Sequence, residues 1–212
     1  MTQALAVLAR ALGLLACLAL GGCAAALGLA RAEPPRLYEL TPTSTFAADL
    51  PHLDARLSVE VPTATAGLNV ARIALRPTPS TLEYYARASW IDVVPVMVQH
   101  LLLESLENAG RLDVVGRGLV GVRADYALLT EVREFQAEYQ GSGPPQVRVR
   151  IHARLVRLPR RTSLAATAEE VVVRAADTSM PAIVQAFDEA FGRIAVQLID
   201  WSIREAAAGD AP

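Results

Sequence analysis

The chain is poor in the side chains that do covalent chemistry. It holds two cysteines, Cys17 and Cys23, and three histidines, His52, His100 and His152. If the chain is cut before Cys23, Cys17 leaves with the leader, and the mature protein has neither a disulfide nor a cysteine-based metal site. The histidines fall far apart, in different predicted elements. His100 and Glu104 share a helix face at i,i+4, but with no third ligand nearby they read as a solvated helix pair. No serine sits in a G-x-S-x-G elbow, and no cysteine remains as a nucleophile. The spacing therefore offers no catalytic constellation, no metal site and no cofactor site. Aromatic residues make up only 5% of the chain, which argues against a base-stacking surface. The net charge is -2, so no global field draws nucleic acid.

What is present begins with an apolar leader. Arg10 is the one charge ahead of the uncharged run Ala11 to Leu20, the layout of a secretory signal peptide over residues 1–22. The run ends in Leu20-Gly21-Gly22-Cys23, which resembles a bacterial lipobox. Its small residues let the chain lie extended in a peptidase, and the Cys23 thiol is the nucleophile that takes a diacylglyceryl group. Two acyl chains are about what stable anchoring needs. Three rival readings stay open. Ala11 to Ala30 is long enough to span a bilayer uncleaved, though its glycines disfavour a helix. Ala30-Arg31-Ala32 is a site where an ordinary signal peptidase could cut. Leu14-Leu15-Ala16-Cys17 is a second, bulkier lipobox. Residues 23–36 then form a tether, apolar from Ala24 to Ala30 and stiffened by Pro34-Pro35.

The remaining ~190 residues suit one domain. Alternation predicts short strands at Leu37–Leu40 and Leu57–Val61, with Pro62 ending the second. Thr63 to Asn69 reads as a loop. Ile73–Leu75 and Leu82–Tyr85 read as a hairpin with Pro77 and Pro79 in its turn. A capping-box-like Ser89-x-x-Asp92 starts a helix that stops at Gly110, with Pro95 either kinking it or marking where its main part begins. Leu112–Val115 is a strand. Tyr126–Tyr139, Gln146–Leu158 and Ser163–Arg174 form a meander, with turns at Gly141–Pro145 and Pro159–Arg161. A last helix is capped by Ser179 and carries the stripe Ile183, Phe187, Ala190, Ile194, Leu198 and Trp201. Residues 206–212 read as a disordered tail. The expected fold is α+β, an antiparallel-rich mixed sheet packed by two main helices, with the domain at residues 37–205.

Three further patterns have a functional and a structural reading. Gly116-Arg117-Gly118-Leu119-Val120-Gly121 matches G-x-G-x-x-G, but the residues after it read as strand where a dinucleotide site needs a helix, so it is a glycine-rich connector. Arg148, Arg150, His152 and Arg154 share one strand face. They form either a basic surface for lipid phosphate or an acidic partner, or a solvated face paired with Glu134 and Glu138 across the hairpin. Tyr84, Tyr85 and Trp90 either pack the first helix on the sheet or form a rim that meets a partner or lipid.

The order of signals resembles a known family. After the lipobox come Leu37-Tyr38-Glu39-Leu40, Val61-Pro62, Gly67-Leu68, Arg72-Ile73-Ala74-Leu75 and Leu82-x-Tyr84-Tyr85 before Trp90. Later come Ala124-Asp125-Tyr126-Ala127-Leu128, Glu134-Phe135 and a closing helix to Leu198 and Trp201. Over residues 36–203 the chain is similar to the ABC-type transport auxiliary lipoproteins, the PqiC-like family. The resemblance implies a non-enzymatic protein on the periplasmic face of the cell envelope. Its partners would be an ABC permease and ATPase and a mammalian-cell-entry (MCE) type lipid-binding protein, moving phospholipid or another hydrophobic substrate. It could form a homo-oligomer around the lipid carrier. Cys23 carries over as the lipidation site, and Ala24 behind it favours the outer membrane, where Asp would retain the protein at the inner one. The competing expectations are a general outer-membrane binding or assembly lipoprotein and, from another class, a periplasmic hydrolase.

Overall fold

The computed structural model describes residues 34–117 and 123–210. Cys23, the leader at 1–22 and most of the tether lie outside the described residues. In chain order the elements are β1 (Arg36–Tyr38), β2 (Leu53–Val59), β3 (Thr63–Ala64), β4 (Arg72–Thr78), β5 (Thr81–Trp90), α1 (Val94–Ala109), β6 (Leu112–Gly116), β7 (Tyr126–Glu138), β8 (Gln146–Arg157), β9 (Thr162–Arg174) and α2 (Met180–Asp210). The fold is the expected α+β: among the described residues, a mixed sheet of nine strands and two helices.

β7 is the strand on which the sheet is assembled. Along one edge it pairs antiparallel with β8, which pairs antiparallel with β9. Its other edge is shared by three parallel strands in succession: β2 at Tyr126–Leu128, β3 at Glu131–Val132 and β4 at Gln136–Glu138. β6 lies outside β2, and β5 and then β1 lie outside β4. β3 is only two residues long, too short for any alternation to announce it, so it falls within the stretch that reads as a loop.

The faces follow from strand periodicity. Val147, Val149, Ile151, Ala153 and Leu155 are fully buried, while Arg148, Arg150, His152 and Arg154 alternate with them on the opposite face. β7 keeps the same two-sidedness only by a bulge. Tyr126, Leu128, Thr130 and Val132 face inward, then the register shifts between Val132 and Glu134, and Phe135 and Ala137 resume the inward face. Arg133 is the additional residue that this shift accommodates; without such a device one extra residue would turn every later side chain over.

α2 closes the inner face. Ser179 Oγ accepts from the amide of Ala182 at 3.4 Å, and Asp177 accepts from the amide of Ser179 at 2.7 Å. These bonds occupy donors that a helix start leaves open. Ile183, Phe187, Ala190, Ile194 and Leu198 are buried completely, and Trp201 is half-buried. Each of the buried isoleucine, phenylalanine and leucine side chains contributes about 1.5–3 kcal/mol on leaving water. The helix has 31 residues and is about 47 Å long. It does not stop at Glu205: Ala206 is buried, and the Arg157 guanidinium donates to the carbonyl of Gly209. The tail expected from Ala206 is therefore helix through Asp210, because tertiary contacts hold its last turns. Among the described residues no helix is long and apolar enough to cross a membrane.

Three other expectations are corrected. Ser89 is not a helix cap: β5 continues to Trp90, whose amide donates to Ala71 O at 2.7 Å, and Ile91 donates to Tyr38 O at 3.0 Å. Pairing on both edges holds this segment extended, so α1 starts at Val94 with Pro95 in its first turn. Its end is as expected, with Gly110 at φ +59 and its amide bonded to Glu107 O. Pro77 lies in β4, not in the turn. The second strand runs Leu53–Val59, leaving Val61 exposed beyond it.

Candidate functional site

Among the described residues no helix lies against the outer face of the sheet, and the sequence places its charges there. Arg148 on β8 donates through Nε to both oxygens of Glu138 on β7, at 3.0 and 3.1 Å. Its other arm reaches Glu170 on β9, and Arg150 lies 3.7 Å from that same carboxylate. On β7, Gln136 donates to Glu134 at 2.6 Å and to Glu138 at 3.0 Å, and Arg76 on β4 lies 3.5 Å from Glu134. The chain of contacts crosses four strands and balances three arginines against three carboxylates.

Gln136 is the centre of this network. Although it is on the outer face, its side chain is fully buried, roofed by the charged groups it touches. Its Oε1 accepts from the amide of Phe135 at 2.8 Å, next to the bulge. One amide side chain thus serves the backbone and two carboxylates together. Burial alone would push the Glu138 carboxyl up, but hydrogen bonds from Arg148 and Gln136 outweigh it and hold that carboxyl below its ordinary value. The pairing of Glu134 and Glu138 with cations holds, with a changed geometry. Arg150 is the register partner of Glu134, yet the ion pairs run diagonally and to a third and fourth strand.

The three aromatic candidates separate. Trp90 is 1% exposed and packs edge-on against Phe135 at 5.8 Å and Phe187 at 5.1 Å. It joins β5 and β7 to α2, so of its two readings the packing one fits and the rim does not, with the last helix in place of the first. Tyr84 and Tyr85 are half-buried. Tyr84 donates to Gly67 O at 3.0 Å with the Arg72 guanidinium over its ring at 3.7 Å. A Cβ at Gly67 would come within 2.7 Å of the Leu82 side chain, whose end would have to shift. Tyr85 meets the hydroxyl of Tyr139 at 2.9 Å, and burial, first of all, raises its pKa.

The histidines stay apart. His100 lies 3.5 Å from Glu104 and its Nδ1 meets Arg117 at 2.6 Å, while His52 lies 3.9 Å from Asp113. Among the described residues no three metal-ligating side chains come together. Of the glycine motif, Gly116 ends β6 and Arg117 follows it, while Gly118 and Gly121 lie outside the described residues. The chain then enters β7 at Tyr126, not a helix.

One group escaped the sequence reading. At the end of the sheet where β7 starts, Arg56 holds Asp125 through Nε at 3.0 Å and a second nitrogen at 3.3 Å. This hydrogen-bonded pairing lowers the Asp125 pKa. Arg123 and Arg161 line the same hollow as this pair, and both are exposed, as is Arg160 next in the chain to Arg161. No short motif links positions so far apart, so only the fold brings them together.

The comparisons agree with this architecture. A family model for the ABC-type transport auxiliary lipoprotein component matches residues 37–199, from β1 into α2. An uncharacterized protein of Bradyrhizobium diazoefficiens is 30% identical over 166 residues, covering 78% of this chain and 44% of that protein. The chain thus spans less than half the length of that relative. The crystal structure of protein XCC0632 from Xanthomonas campestris, of the DUF330 family, superposes with a TM-score of 0.78 at 25% identity, covering 82% of this chain and 98% of that one. A second crystal structure, of an uncharacterized protein, shares the fold with a TM-score of 0.62 at 12% identity, covering 79% and 97%. On the match of residues 37–199, the chain belongs to the ABC-type transport auxiliary lipoprotein family.

Proposed function

We propose that the protein is a lipid-anchored accessory of an ABC transporter that acts by contact and not by catalysis. Cys23, acylated after removal of residues 1–22, holds the domain to the periplasmic face of the envelope, at the outer membrane. The partners are a permease, its ATPase and an MCE-type lipid-binding protein, and the cargo is phospholipid or another hydrophobic molecule. The observation that carries this reading is Leu20-Gly21-Gly22-Cys23 about a dozen residues ahead of β1, in a chain whose domain matches the transport-auxiliary family. A short tether keeps the domain close to the bilayer, where a transport complex could be met.

The test has two parts. Mass spectrometry of the protein from native membranes is expected to give a mature N-terminus at Cys23 carrying fatty acid, and Cys23→Ala is expected to release the domain from the membrane fraction. A mature start at Glu33 or an intact Met1 overturns the anchor. Crosslinking in cells is expected to recover the permease or the MCE-type protein. Repeated recovery of outer-membrane assembly proteins alone would favour the general lipoprotein reading.

A further inference from the structure

The end of the sheet where β7 begins carries an open hollow of about 500 Å³ between the strand-entry segment and the β8–β9 turn, with Arg56, Arg123, Asp125, Leu158, Pro159 and Arg161 along it. Its charge is unbalanced. Asp125 is the carboxylate on that wall, and it is already engaged: Oδ2 accepts from the Arg56 amide at 2.9 Å and from Nε at 3.0 Å, and Oδ1 from the other nitrogen at 3.3 Å. Arg56 and Asp125 therefore cancel. Arg123 and Arg161 have no carboxylate partner among the described residues, and Arg160 stands exposed beside them. Asp54, on the adjoining pocket, interacts with Asp113 across the β2–β6 pair.

Two open guanidinium forks at the mouth of a concave site match the oxygens of a tetrahedral anion, which accepts several directed hydrogen bonds at once. The volume falls within the ordinary range for small-ligand sites. Leu158 and Pro159 give the wall an apolar part, fit for the carbon portion of a phosphate ester. An acidic protein surface would call for cations spread over a broad flat area; here Arg123 and Arg161 line one hollow. The backbone adds a second sign: Arg161 is held at φ +54, a conformation in which glycine costs less. We propose that this pocket binds a phosphate group between Arg123 and Arg161, either on a lipid headgroup or as the free ion. The site rests on the geometry of this chain and stands whether or not the transport reading does.

The experiment is calorimetric titration of the detergent-solubilised full chain with inorganic phosphate and, separately, with glycerophosphoglycerol, the deacylated headgroup of phosphatidylglycerol. Saturable binding is expected. Tighter binding of glycerophosphoglycerol identifies the headgroup as the source, and equal affinities identify the ion. The double variant Arg123→Gln, Arg161→Gln is expected to weaken binding at least about tenfold, as two charge-assisted hydrogen bonds are lost. Arg161→Gly is expected to weaken it several-fold while melting no lower than the wild type, which separates lost binding from lost folding. Arg174→Gln, an exposed arginine at the far end of β9, is the control and should leave affinity unchanged. The proposal is overturned if neither probe binds saturably, or if Arg174→Gln weakens binding as much as the double variant. It is equally overturned if hexa-aspartate binds as tightly as both probes and is lost in the same variant, since the surface would then be one for acidic peptides.

Discussion

Two groups of arginines stand on one sheet and are used in opposite ways. Arg76, Arg148 and Arg150 lie on the outer face among Glu134, Glu138 and Glu170, linked through the buried amide of Gln136. Arg123, Arg160 and Arg161 lie at the strand ends, and none has a carboxylate partner among the described residues. The first group neutralises itself and stiffens four strands, so it leaves little field for a ligand. The second stands exposed, with no carboxylate among the described residues to occupy its donors. A run of basic residues in sequence is therefore no guide to an anion site; what decides it is whether the fold returns the matching acids to the same face.

The difference can be broken first at its centre. Gln136→Ala would strand the Phe135 amide and remove a donor from two carboxylates, and should cost about 2–3 kcal/mol in urea denaturation. A loss no greater than that of an exposed surface change would mean that the network is ornamental. Next, Arg148→Gln leaves Glu138, whose side chain is only 16% exposed, without its charged partner. A loss of about 1–2 kcal/mol is expected, smaller than for Gln136 because Arg148 is itself part-exposed.

The acid limb of stability sharpens the contrast further. Glu138 and Asp125 both have folded pKa values below their ordinary ones. Their stabilisation is therefore present above the unfolded values near about pH 4 and is lost as pH falls through the depressed folded values. Arg148→Gln should move the acid unfolding limb to higher pH, because the Glu138 carboxyl is then raised by burial with less to oppose it. Arg123→Gln should leave the limb where it is. At the smallest end of the scale, Arg123→Gln should also leave the urea midpoint unchanged. A clear drop would show that Arg123 has a structural partner and would erase the distinction between the two groups.

Much of the framework was legible in the residues. The three long strands from Tyr126 to Arg174 were readable within a residue or two, since a buried face opposite a wet one imposes strict alternation. Ser179 and Gly110 marked helix ends because each meets a local backbone need. The bulge also left a trace: inward positions run 126, 128, 130, 132 and then 135, 137, an odd step in an even pattern. Where the reading failed, distant contacts had overridden a local signal. Ser89 and Asp92 have the spacing of a cap, but Ala71 and Tyr38 hold the segment as strand. Ala206 to Gly209 have the composition of a tail, but Tyr126 and Arg157 bond the backbone of their helix. Trp90 beside two tyrosines left packing and a rim both open, and the fold chose packing, under α2 with Phe187 and not under the first helix.

The sequence alone determined the helix ends at Ser179 and Gly110, the periods of the long strands, and the Leu20-Gly21-Gly22-Cys23 motif, because each depends on residues within a few positions of one another. Tertiary structure alone decided which distant charges meet. Arg56 finds Asp125 across 69 positions, and Arg148 finds Glu170 across 22. Coulomb attraction and hydrogen bonds act over a few ångströms of space, and only the folded chain sets which residues are that close.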